Sequence, residues 1–126
     1  MRQVLVVVPD DRPGELARIG EVLGAAGINI DAISASTSRH AGLVQVVVDR
    51  TDEAFRVLHE AAVPVMDVRD ALVVPVNDVP GRIGEICRVL SDAGINIDEA
   101  YLANDGGLVV VCEEVERARQ LLGLER

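Results

Sequence analysis

Asp11-Arg-Pro-Gly-Glu-Leu-Ala-Arg-Ile-Gly-Glu-Val-Leu-Gly-Ala-Ala-Gly-Ile-Asn-Ile-Asp31 decides the fold, because it occurs twice. The second copy is Asp78-Val-Pro-Gly-Arg-Ile-Gly-Glu-Ile-Cys-Arg-Val-Leu-Ser-Asp-Ala-Gly-Ile-Asn-Ile-Asp98. Widened to residues 4–36 against 71–103, the gapless match holds 15 identities in 33 pairs. Unrelated chains of ordinary composition match at about two or three such positions. Beyond it Leu43 fits Leu108 only after a two-residue deletion, so the second hairpin is the shorter. The repeats divide the chain at 1–69 and 70–126. Units of this size are marginal alone, which argues for a shared core or interface.

Each copy reads the same way. Val4–Val8 and Leu72–Val76 are Val-rich runs that read as strands. Asp-x-Pro-Gly follows, with Pro suited to a first helical position and Asp complementing the helix N-terminus. Leu16, Ile19, Leu23 and Ala26 then recur at helical spacing, as do Ile83, Ile86, Leu90 and Ala93. Gly27 and Gly94 close these helices, with Ile28 and Ile95 placed for the hydrophobic contact of a glycine cap. Strands are expected over 28–36 and 95–103, then turns at Ser38–Gly42 and Asn104–Gly107, then strands Leu43–Val48 and Leu108–Cys112. Second helices follow near 52–62, with Ala54, Phe55, Leu58 and Ala62 inward, and near 113–122, with Val115, Ala118 and Leu122 inward. The first copy adds a strand near Val65–Val68, completing β-α-β-β-α-β. The second ends too soon for its last strand and reads β-α-β-β-α. The fold class is therefore α+β, two ferredoxin-like repeats side by side, with seven strands in all. An open edge at 71–76 needs cover, from a partner chain or from residues 64–70.

The chain has 126 residues and a net charge of −9, with twelve Arg and no Lys among its bases. Such acidity argues against nucleic acid and against anionic membranes as partners. Two aromatic residues, Phe55 and Tyr101, make no base-stacking platform. No apolar run reaches the roughly 20 residues that span a bilayer, and Met1-Arg-Gln leads into Val4 without the pattern of a signal peptide. Two cysteines, Cys87 and Cys112, suit inert core thiols and a reduced, cytoplasmic setting. His40, in a hairpin turn, and His59, on a helix's polar side, lack a second ligand at metal-binding spacing. No nucleotide-binding, P-loop or nucleophile-elbow motif is present, and no catalytic residue, metal or cofactor is expected.

The paired Asp-x-Pro-Gly helix starts and Gly-Ile-Asn-Ile strand starts resemble the signature of the ACT domain, and the resemblance covers nearly the whole chain. It is similar to the stand-alone tandem kind: small regulatory modules without catalysis of their own. The resemblance implies a free amino acid or similar zwitterion held at the junction of the repeats. It also implies pairing of strands 28–36 and 95–103, a homodimer, and a metabolic enzyme as a possible partner. The residues themselves leave simpler readings open. The N–H groups of Gly14, Glu15 and Leu16, and of Gly81, Arg82 and Ile83, suit a carboxylate or merely start a helix. Asp11 and Asp78 could accept from an ammonium or cap the helix. Asn29 and Asn96, beside Ile30 and Ile97, could hold both ends of a zwitterion or bond their own turn. Asp31 and Asp98 share their face under strict alternation. Some family members carry Asn where Asp11 and Asp78 stand, and a polar residue where Pro9 and Val76 stand. Arg12 could clamp a carboxylate where its counterpart Val79 cannot, so the Pro13 and Pro80 sites should differ in affinity. The alternative is an interaction or dimerisation module that binds no ligand and regulates a metabolic enzyme or a transcription regulator.

Overall fold

A computed structural model describes residues 1–39 and 41–124; the expectations for His40 and for the last two residues lie outside them. The elements run β1 (Arg2–Val7), α1 (Glu15–Ala25), β2 (Ile30–Ser38), β3 (Ala41–Val48), α2 (Thr51–Glu60), β4 (Val65–Pro75), α3 (Arg82–Asp92), β5 (Ile97–Leu102), β6 (Gly107–Cys112) and α4 (Val115–Leu121). They form an α+β fold of two compact units, Gln3–Arg69 and Met1–Arg2 with Asp70–Arg126.

In the first unit the strand order is β2-β3-β1-β4. β1 and β2 both pair antiparallel with β3, in registers such as Val4 with Val47 and Ile33 with Val46. This is the ferredoxin-like arrangement, with α1 and α2 on one face. Leu5 and Val7 of β1, Val44, Val46 and Val48 of β3, Ile19 and Leu23 of α1, and Ala54 and Leu58 of α2 make its core. The alternation along β1 and β3 and the 3–4-residue spacing on the helices send these side chains to one side.

The second unit repeats the plan in the order β4-β6-β5, and no further strand follows α4 among the described residues. Its core draws on Leu72, Val74, Ile86, Leu90, Leu108, Val110, Cys112 and Ala118. Here and in the first unit, Gly27 (φ 69°) and Gly94 (φ 74°) end the first helix in the left-handed region. Ile28 N–H donates to Leu23 O at 3.0 Å, and Ile95 N–H to Leu90 O at 2.9 Å, the bonds of a Schellman cap. Ile28 and Ile95 are thereby turned into the two cores.

Four expectations need correction. Residues 65–68 and 72–76 are not two strands but fall in one, β4 (Val65–Pro75), so the described residues hold six strands and not seven. Met66-Asp-Val-Arg-Asp-Ala71 contains no Gly, Pro or Asn to turn the chain, and of residues 64–70, expected as a cover for the edge, 65–70 are part of the strand itself. Among the described residues β2 has β3 as its single strand neighbour, and β5 has β6. Phe55 and Ala62 do not point inward; Phe55 is 43% exposed, and Ala62 lies past the end of α2 with φ 60°. Pro13 is not a first helical residue, since α1 starts at Glu15 with Gly14 as its cap.

Leu90 is fully buried in the second core. Leu90→Ala should cost about 2–5 kcal/mol of stability, whereas Phe55→Ala should cost under about 1 kcal/mol. Urea denaturation of the two variants checks the contrast.

Candidate functional site

An Asp-x-Pro-Gly turn borders a hollow in each unit: Asp11 and Arg12 line the first, where Pro13 and Gly14 are not part of the wall, and Asp78, Val79, Pro80 and Gly81 line the second. In both, the N-cap is a glycine in the left-handed region, Gly14 at φ 92° and Gly81 at φ 86°, and no side chain bonds to the helix start. Asp11 and Asp78 therefore do not cap their helices; both are exposed, and neither carboxylate has a partner among the described residues. The turn closes on itself through Glu15 N–H to Arg12 O (3.4 Å) and Arg82 N–H to Val79 O (3.1 Å). Glu15 and Arg82 thus spend their N–H groups inside the turn. Those of Gly14 and Leu16, and of Gly81 and Ile83, have no acceptor among the described residues. Donors in that state at the positive end of a helix attract an anion. A Cβ on Gly14 or Gly81 would meet nothing within 4 Å, so the space in front of them is open.

The first hollow, of about 380 Å³, lies between this turn and the far ends of β2 and β3. Asp11, Arg12, Glu15 and Leu16 line it from the turn, and Ala35, Ser36, Thr37, Gly42 and Val44 from the strands. Arg12 is held by Glu15 at 2.8 Å and Asp10 at 3.5 Å. The hydrogen bond and charge of Glu15, then the charge of Asp10, push its guanidinium pKa upward. Gly42 is needed for close approach: its N–H donates to Pro9 O at 2.8 Å, and a Cβ would sit 3.0 Å from the Pro9 ring. The second hollow, of about 420 Å³, is lined by Asp78, Val79, Pro80, Gly81, Ile83 and Leu102, with Val76, Gly84 and Gly106. Arg82 turns away from it, donating to Pro75 O at 3.4 Å and facing Glu85 at 3.7 Å. The backbone also differs here, for Asn77 (φ 57°) and Asp78 (φ 52°) are left-handed, a conformation these two residue types tolerate best after glycine.

Asn29 and Asn96 stand apart from the hollows of their own units. Each follows the C-terminal cap of a helix whose other end carries the turn, and an 11-residue helix is about 16 Å long. Asn29 N–H donates to Asp49 Oδ1 at 3.1 Å, and its Nδ2 to Asp31 Oδ1 at 2.7 Å. Asn96 makes the equivalent contact with Asp98 at 3.5 Å and lines a smaller recess with Glu113 and Glu114. Ile30 and Ile97 pack against the two cores. Sequence reasoning missed Ala35, Ser36, Thr37, Leu102, Gly42 and Gly106. The pair Ala35 and Leu102 lay within the matched repeat, but only pairing across the sheet brings it to the turns. Among the described residues no group of three His, Cys, Asp or Glu could hold a metal, and no helix is long and apolar enough to cross a membrane.

A model of the ACT domain pair matches residues 1–126. The chain belongs to the ACT domain pair family. Among solved structures, this ACT pair is similar to a protein from Bacteroides thetaiotaomicron at 24% identity and TM-score 0.82, over 97% of this chain and 86% of that one. It is similar to the ligand-free regulatory subunit of aspartate kinase from Thermus thermophilus at 19% identity and TM-score 0.67, over 96% and 89% of the two chains. Escherichia coli aspartokinase III, in complex with lysine and aspartate, matches at 19% identity and TM-score 0.57, over 96% of this chain and 29% of that enzyme. No curated protein sequence matches the chain at a significant level.

Tyr101 marks the other face of β5. Its register partner is Val109, which alternates with the core residues Leu108 and Val110. The hydroxyl is buried and has no partner among the described residues. Burial, then the charge of Glu99, pushes its pKa up to about 12. A folded-state value above the ordinary 10 leaves stability intact below about pH 10 and erodes it as pH rises toward 12. Tyr101 is the only tyrosine, so tyrosinate absorbance should titrate well above pH 10 in the native protein and near pH 10 in urea. Separately, Gly81→Ala should cost about 1–2 kcal/mol from left-handed strain alone, read as a fall in the urea midpoint.

Proposed function

We propose that this ACT pair is a non-catalytic regulatory protein of the cytoplasm that binds a free amino acid in its Asp-x-Pro-Gly hollows. One observation carries the reading: each turn offers two N–H groups and an aspartate that have no partner among the described residues. The ligand carboxylate takes the N–H groups of Gly14 and Leu16, or of Gly81 and Ile83, and the ammonium bonds to Asp11 or Asp78. Charge-assisted bonds of this kind are about twice as strong as neutral ones. Asn29 and Asn96 lie too far along their helices to meet a ligand on their own turn. The Asn that completes a site comes from the other repeat or from a second copy, so the ligand sits at a junction. Binding then favours one arrangement over another by its difference in affinity for the two. The aspartokinase crystallised with lysine and aspartate supports an amino acid as the ligand class.

A second reading rests on the open edges of β2 and β5. In it the protein is a homodimerising module that pairs by those edges and docks on a metabolic enzyme or transcription regulator with its hollows empty.

A thermal-shift screen of the twenty amino acids separates the two. An amino acid at 100 times its dissociation constant should stabilise the fold by about 2.7 kcal/mol. Asp78→Ala should weaken that ligand about tenfold or more. No shift with any amino acid at millimolar concentration would leave the interaction module.

A further inference from the structure

Duplication supplies an internal control on what each hollow selects. The pairs Asp11 and Asp78, Pro13 and Pro80, and Gly14 and Gly81 are identical in the two copies. These are the groups that would fix the common part of an amino acid. The residues beyond them have diverged. Arg12 is replaced by Val79, Glu15 by Arg82 and Ala35 by Leu102. In the first hollow Arg12 and Glu15 are joined by an ion pair, and Ser36 and Thr37 add hydroxyls. In the second, Arg82 bonds back to Pro75 O, and among the described residues Asp78 is the only charged one of the lining.

Val79, Ile83 and Leu102 belong to opposite walls of the second hollow and are 55%, 41% and 57% exposed. Large aliphatic side chains held open to water around a concave space lower their free energy when an apolar group fills it. A volume of about 420 Å³ accommodates one amino acid, being at the small end of the roughly 300–1,000 Å³ usual for ligand sites.

We infer that the second hollow selects an amino acid with a branched aliphatic side chain, gripped between Val79, Ile83 and Leu102, whereas the first takes one with a polar end facing Arg12 and Glu15. The inference rests on the proposal that the turns hold a zwitterion. It adds that the repeats, sharing one anchor, report on two different ligands. Discrimination comes from apolar area: each methylene group lost from the ligand side chain, and each apolar wall lost from the protein, weakens binding several-fold.

Isothermal titration of the full chain with leucine, isoleucine, valine, alanine, serine and glutamate tests it. Wild type should bind one of the three branched amino acids at least roughly tenfold more tightly than alanine. Val79→Arg and Leu102→Ala should each weaken that binding about tenfold. Both positions are exposed, so the unliganded melting temperature should stay near that of wild type, and circular dichroism checks this. Aliphatic binding that survives both substitutions, or binding of serine or glutamate alone, would overturn the selectivity while leaving amino-acid binding intact. Failure of all twenty amino acids to bind would overturn both.

Discussion

A glycine in the left-handed region at the start of a helix is the constraint on which the rest depends. Gly14 and Gly81 adopt φ 92° and 86°, which residues with a Cβ reach only at a cost. That one dihedral lets the chain leave β1 or β4, make a tight turn through Pro13 or Pro80, and enter the helix at once. It has two chemical results. Among the described residues no side chain caps the helix N-terminus, so donors remain unspent there. The aspartate two residues before the proline is exposed, and its carboxylate has no partner among the described residues. Sequence, backbone and electrostatics meet at that point, since the turn that makes the fold compact also makes the hollow receptive.

The packing around the turns follows from ordinary periodicity. Ile19 and Leu23, and Ile86 and Leu90, are fully buried because they recur on one helix face. Leu16 and Ile83 belong to the same spacing but lie in the first turn of their helices and stay 48% and 41% exposed. They are where the core pattern runs out and the hollow begins. The same pattern of helix, cap and strand made most elements legible in the sequence, down to the Schellman bonds of Gly27 and Gly94.

What was not legible has a common cause. Periodicity reports which face of an element is apolar; it does not report where one strand stops and the next begins when no turn residue intervenes. Residues 65–74 change from polar to apolar without a Gly, Pro or Asn, and the backbone simply continues. Phe55 looked like a core aromatic by spacing, yet Ala54 and Leu58 occupy the inward stripe of α2 and Phe55 falls outside it. The turn half of the candidate site could be read as a contiguous motif. The strand half could not, because Leu102 and Ala35 reach the turns only through registers such as Leu102 with Leu108 and Ala35 with Val44. Asn29 and Asn96 belong to the same motif by sequence, but an intervening helix carries them to the opposite end of their units.

Backbone amide spectra offer the most direct measurement. On titrating the isotope-labelled protein with the amino acid that stabilises it most, the amide protons of Gly14 and Leu16, or of Gly81 and Ile83, should move downfield as they gain a carboxylate acceptor. They should do so with the same saturation curve as the thermal stabilisation. If those four amides stay fixed while saturable shifts appear elsewhere, the turns do not hold the ligand, and the amino-acid site assigned to them is wrong.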